Sequence, residues 1–91
     1  MSYFNNHSHT EFSNLRLLDC INKPEALIDK AIEVGLTGIA ITDHESLSAH
    51  MRVNKYAKKI REQNPDFTIA LGNEIYLTDT RDLGQKYYHF I

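Results

Sequence analysis

Apolar positions along this chain recur with two periods, and the switches between them mark its elements. Residues 1–7 read as a short strand close to the first residue. Over residues 24–34 the spacing predicts a helix, because Leu27, Ile28, Ala31 and Ile32 fall on one face and Pro24 suits a first-turn position. Gly35 is a natural stop for it. The run TGIAIT at 37–42 is apolar and rich in β-branched residues, as expected of a fully buried strand. A second helix is predicted over residues 46–63, with Ala49, Val53, Ala57 and Ile60 as its apolar stripe and Asn64-Pro65 ending it. FTIAL at 67–71 is a third buried-type strand, broken by Gly72; residues 75–78 extend again, 79–86 form a polar loop, and 87–91 open one more strand. Strand, helix, strand, helix, strand is the order of parallel β/α units, so an α/β fold is expected.

Composition narrows the class. With 42% hydrophobic and 24% charged residues the chain is of the soluble globular type, which excludes collagen-like, disordered and disulfide-scaffold readings. Its 91 residues allow at most one small domain, whose core is thin. No apolar run approaches the roughly 20 residues that span a membrane, and the opening MSYFNNHSH lacks the order of a secretory signal. The single cysteine, Cys20, cannot form an internal disulfide, which suits a reducing cytoplasmic setting, and a small packing residue is its plainer role. A net charge of −2 gives no global basic field for nucleic acid. Arg52, Lys55, Lys58, Lys59 and Arg61 do gather on the second predicted helix, where a solvated face is a simpler account than phosphate contact.

In parallel β/α folds the working groups stand at the carboxyl ends of the strands. His7 and His9 bracket one residue at the end of the first strand, and positions two apart in an extended segment face the same way. Asp43-His44 directly follows the second strand, and Glu74 comes just past the third. Three consecutive strand ends thus deliver imidazole or carboxylate to one edge of the sheet, a donor set suited to Zn, Mn or Fe. A carboxylate in such a set can bridge two cations. No nucleophile elbow surrounds Ser8, Ser13, Ser46 or Ser48, and no glycine-rich phosphate loop is present. His50, inside the second predicted helix, is expected to be solvated or half-buried rather than a ligand, and Tyr56, Tyr76, Tyr87 and Tyr88 to be core or edge aromatics.

HSHTEFS at 7–13, LLD at 17–19, GIAITDHESLSAH at 38–50, GNEIYL at 72–77 and KYYHFI at 86–91 resemble, in that order, the opening motifs of the PHP (polymerase and histidinol phosphatase) family. The wording is most similar to the PHP domain at the N-terminus of the alpha subunit of bacterial DNA polymerase III. The resemblance implies a distorted seven-stranded β/α barrel with two or three divalent metal ions at its strand ends, of which residues 1–91 supply the first β/α units, incomplete at the C-terminus. It also implies that His7, His9, His44 and Glu74 are metal ligands, Glu74 being shared between cations. Asp19 looks like the aspartate that follows the first motif, and His89 like the next histidine ligand. Asn14-Leu15-Arg16 lengthens the stretch before LLD, and Cys20 stands where the family usually has glycine.

The chemistry implied is metal-assisted hydrolysis of a phosphate ester. In a replicative polymerase that means a 3′–5′ proofreading exonuclease, or a metal-stabilised scaffold, with DNA and other replicase subunits as partners in the cytoplasm and no membrane. The alternative is a free-standing PHP phosphatase of the histidinol-phosphatase type. The later ligands of the family, among them a terminal aspartate-x-histidine, have no counterpart in the 91 residues, so these alone are expected to be inactive and weakly metal-binding. Apolar surface is expected where further strands pair.

Overall fold

The computed structural model describes residues 3–15, 20–78 and 88–91, with Leu15 and His89 described by their main chain. Three parallel strands form the centre: β1 (Phe4–Asn5), β2 (Gly38–Ile41) and β3 (Thr68–Leu71), in the order β1-β2-β3. Parallel neighbours cannot be joined by a tight turn. Helix α1 (Pro24–Glu33) accordingly intervenes between β1 and β2, and α2 (His50–Gln63) between β2 and β3. The chain is thus an α/β fold built on a parallel sheet.

Glycine ends α1 as its position suggests. Gly35 takes φ +86°, a left-handed conformation that costs other residues energy. Its N–H donates to Ile32 O at 3.1 Å while the Leu36 N–H donates to Ala31 O at 3.0 Å, which satisfies two carbonyls of the last turn. From α1, Ile28 and Ala31 enter the core; Ile39 and Ile41 enter from β2, and Ala49, Val53 and Ile60 from α2 and the residue before it. Ile28, Ile39, Ile41 and Val53 are fully buried, each worth about 1.5–3 kcal/mol of transfer free energy. Gly38 in β2 is required for a different reason: a Cβ there meets the Phe4 ring at 2.4 Å and Thr68 O at 2.7 Å.

Several elements differ from expectation. Of the first strand expected over residues 1–7, residues 1 and 2 lie outside the described residues, and among the rest the ladder with β2 runs through Phe4 and Asn5. Just beyond, the His7 N–H donates to Asn5 Oδ1 at 3.1 Å, a local turn that draws the chain out of the ladder. The second helix begins at His50, not at residue 46. Ser46 Oγ accepts from the Ser48 N–H at 3.2 Å, and the His50 N–H donates to Leu47 O at 3.0 Å, so the backbone is held in turns there before the helix starts. β3 is not buried like β2: Thr68 and Leu71 are exposed, because among the described residues the strand has a neighbour on one side only. Finally, β4 (Ile75–Leu77) and β5 (Tyr88–Phe90) pair antiparallel as a separate two-stranded sheet, with Tyr76 opposite His89. The polar loop expected at 79–86 lies outside the described residues.

Leu71, Ile75, Leu77 and Phe90 are exposed along β3 and this hairpin. On α2 the side chains of Lys55, Lys58, Lys59 and Arg61 are exposed, while Arg52 pairs with Glu25 and Glu11. Tyr56, on the inner flank of α2, donates to Asp29 of α1, and that hydrogen bond, with burial, pushes its hydroxyl up to about 12. No helix among the described residues is long and apolar enough to cross a membrane.

Candidate metal centre

Main-chain pairing carries the sheet past its named strands and sets the site. After Gly72, whose N–H donates to Ile41 O, the chains meet again in an isolated parallel bridge between His44 and Glu74. The Glu74 N–H donates to Asp43 O at 3.0 Å and the Glu45 N–H to Glu74 O at 2.8 Å. Residues paired in this way project to the same side, so His44 and Glu74 are neighbours by construction. The turn that follows has Glu45 at φ +49°, an uncommon conformation for a residue with a Cβ.

On the other flank Ser8 is pinned to the end of β2. Its N–H donates to Thr42 Oγ1 at 3.0 Å, its carbonyl accepts from the Thr42 N–H at 2.8 Å, and its hydroxyl donates to Ala40 O. With Ser8 held toward the sheet, His7 and His9 on either side of it turn to the same place, as the two-residue spacing predicts.

That place is the Glu74 carboxylate, which is 2% exposed. Oε1 lies 2.8 Å from His7 Nε2; Oε2 lies 3.2 Å from His9 Nε2 and 2.7 Å from His44 Nδ1. One ligand atom from each of His7, His9 and Glu74 falls within 4.8 Å of the others. The rings stand close, with centroids 5.1 Å apart for His7 and His9 and 4.3 Å for His9 and His44, and Tyr76 packs beside His44 at 5.9 Å. Exposure is graded: the side chain of His44 is buried, that of His9 partly so, and that of His7 is open to solvent.

The donor set fits a divalent cation. His9 Nε2 is buried and, with Glu74 Oε2 3.2 Å away, makes no well-aligned hydrogen bond, a costly condition for a polar atom unless something else satisfies it. Two ligand atoms each about 2.0–2.1 Å from one tetrahedral cation stand roughly 3.4 Å apart, a few tenths of an ångström wider than the separations around Glu74. The two carboxylate oxygens also face different histidines, which is the disposition of a carboxylate able to serve two cations.

Of the other residues expected at the site, Asp19 lies outside the described residues, and His89 is placed by its main chain in β5, opposite Tyr76. His50 is half-buried and not part of the cluster; its Nε2 donates to Gly72 O at 2.8 Å. Cys20 is half-buried rather than a core residue, its Sγ donates to His9 O at 3.3 Å, and it lines a shallow cleft with His7, Ser8, His9 and Asn22. A larger depression lined by Ile32, Leu36, Pro65 and Phe67 lies beside the amino ends of β2 and β3 and holds no histidine.

Sequence reasoning passed over Asn73, Thr10 and Ser13, and named Asp43 without its partners. Asn73 Nδ2 donates to Asp43 O at 2.9 Å and Ser46 O at 3.0 Å, closing the turn after β2. Thr10, Ser13 and Asp43 are buried together. A small polar residue one and four places after His9, facing an aspartate beside His44, was the available signal.

These elements define a class of protein, and comparison with known families places the chain in it: residues 5–91 match the model of the PHP domain, and the chain belongs to that family. It is 46% identical over 77 residues to "Probable DNA polymerase YorL" of Bacillus subtilis strain 168, an alignment covering 81% of this chain and 6% of that protein. The same identity and coverage relate it to the "DNA-directed DNA polymerase" of Bacillus phage SPbeta. An "Error-prone DNA polymerase" of Cutibacterium acnes is 38% identical over 52 residues, 57% of this chain and 4% of the relative. The chain therefore spans only a small part of the polymerases it matches. Among solved structures, a "putative metal-dependent phosphoesterase" from Bifidobacterium adolescentis superposes with a TM-score of 0.73 at 26% identity, over 97% of this chain and 26% of that one.

Proposed function

We propose that this chain forms the opening β/α units of a seven-stranded PHP barrel at the N-terminus of a bacterial-type replicative DNA polymerase, as in DNA polymerase III alpha. There His7, His9, His44 and Glu74 hold divalent cations for phosphodiester hydrolysis at DNA 3′ ends. The observation that carries this reading is the meeting of three imidazoles from two strand ends on one buried carboxylate from a third. Asp19 and His89 complete the set on this reading, for two or three ions of Zn, Mn or Fe. A cation held there supplies Lewis-acid polarisation of a phosphoryl group and acidification of water.

The chain's own residues divide the remaining work. Buried His44 and Glu74, locked by backbone pairing, anchor the site, while exposed His7 borders the cleft through which a phosphate enters. DNA and the other replicase subunits are the partners, in the cytoplasm. In a polymerase that has lost turnover, the same ligands serve as a metal-stabilised scaffold. A free-standing phosphatase is the second reading, favoured by the likeness to the phosphoesterase structure.

The test is an assay of the full polymerase on end-labelled single-stranded DNA, with and without chelator, and with His44→Ala. Shortening from the 3′ end that stops with chelator and falls at least 100-fold in the variant, with nucleotide incorporation retained, is expected. Shortening indifferent to both refutes the exonuclease. Hydrolysis confined to small phosphomonoesters selects the phosphatase.

A further inference from the structure

The buried group that the proposed chemistry leaves unused is the Asp43 carboxylate, 1% exposed and beside His44. Both of its oxygens are engaged by donors from the segment after His9. Oδ1 accepts from the Thr10 N–H at 2.5 Å and from the Ser13 hydroxyl at 2.8 Å; Oδ2 accepts from the Thr10 hydroxyl at 2.8 Å. The network closes on both sides. Ser13 Oγ accepts from the His44 N–H at 3.1 Å, Thr10 Oγ1 accepts from the Phe12 N–H at 3.2 Å, and Asp43 O accepts from the Glu74 N–H. One residue therefore touches the segment of His9, the main chain of His44 and the main chain of Glu74.

We infer that Asp43 is the positioning residue of this site: its buried carboxylate fixes the turn after His9 against the segments of His44 and Glu74 and so sets the spacing of the ligands. The inference rests on the metal-site reading for its consequence, though not for its geometry. Three donors converge on the two oxygens of the Asp43 side chain, which accept all three. An asparagine has nearly the same shape but presents an NH2 in place of one accepting oxygen, so one of the three bonds is lost or reversed, and the turn is expected to shift while the fold stays. Groups that orient metal ligands from behind typically change metal affinity by about 10–100-fold when removed.

The test uses the full chain as wild type, Asp43→Asn and Ser13→Ala, with two readouts. The first is the set of imidazole ring signals in nuclear magnetic resonance spectra recorded in chelator. In Asp43→Asn the signals of His9 and His44 are expected to shift or broaden, while that of His50, tied to Gly72 O instead, stays in place. The second is titration with Zn2+ alone, where affinity is expected to fall by about 10–100-fold. A structural role without positioning lowers the unfolding temperature and leaves both readouts unmoved, and that result overturns the inference. If Asp43→Asn does not fold, Ser13→Ala, which cuts the link from Oδ1 to the His44 N–H, is read by the same two criteria. A wild type that takes up no Zn2+ refutes the metal reading, and the ring signals still decide the role of Asp43.

Discussion

Glu74 gathers the site because its backbone leaves it no choice: it is bridged to His44, its N–H is bonded to Asp43 O, and its carboxylate is turned into a space shared with three imidazoles. That His7, His9, His44 and Glu74 meet was legible in the sequence because strand ends in parallel folds collect at one edge; position brought them together, and the family resemblance singled them out as candidate ligands. Asp43 stood in view but its role did not, since a carboxylate beside a histidine reads equally as a ligand or as an acceptor. Only the three donors closing on it separate the two. Away from the site, Arg52 bonds Glu25 of α1 and reaches Glu11 in the turn that follows His9. The Arg52 guanidinium holds the Glu25 carboxyl below its ordinary value. A lowered carboxylate stabilises the fold above its unfolded pKa, near 4.5, and that contribution disappears as pH falls through the folded value. Glu25→Gln is therefore expected to lower the thermal midpoint at pH 7 by about 1–3 °C, the small effect of a solvent-accessible pair. The difference should narrow progressively as pH falls below 4.5 and shrink in high salt; a gap that does not narrow on acidification contradicts the assignment.

Element by element, the parallel core followed the apolar pattern closely. α1 ended at Gly35 as its φ requires, and β2, buried on both flanks, was the GIAI run. The pattern failed where side chains compete with the backbone: Asn5 shortened the first strand, and the serines at 46 and 48 delayed α2 to His50. It failed again at β3, whose apolar residues read as buried although the strand has one neighbour among the described residues. Antiparallel pairing of β4 with β5 could not be read at all, because register between distant segments leaves no local trace. Gly38 offers a test at this scale. Its hydrogen faces the Phe4 ring and a backbone oxygen of Thr68, and backbone cannot swing aside as a flexible side chain can. Gly38→Ala is expected to cost about 1–3 kcal/mol in urea unfolding, by parting β1 from β2 and β3. An unchanged midpoint refutes the packing described.

For the molecule as a whole, sheet, helices and hairpin bring the histidines and Glu74 to one edge, while the depression at the opposite end, at Leu36 and Phe67, has no histidine among its described lining residues. The chain belongs to the PHP family, and the polymerase relatives supply the context in which DNA is the proposed substrate. The claim on which this depends is that histidine and glutamate side chains from three strand ends bind a divalent cation together. Zn2+ K-edge X-ray absorption of the reconstituted chain tests it most directly, because Cys20 lies beside His9 and sulfur ligation is distinguishable. The account predicts a nitrogen and oxygen shell at about 2.0–2.1 Å with imidazole scattering, no sulfur near about 2.3 Å, and loss of the bound ion in Glu74→Ala. A sulfur shell, or zinc held as firmly without Glu74, would contradict it.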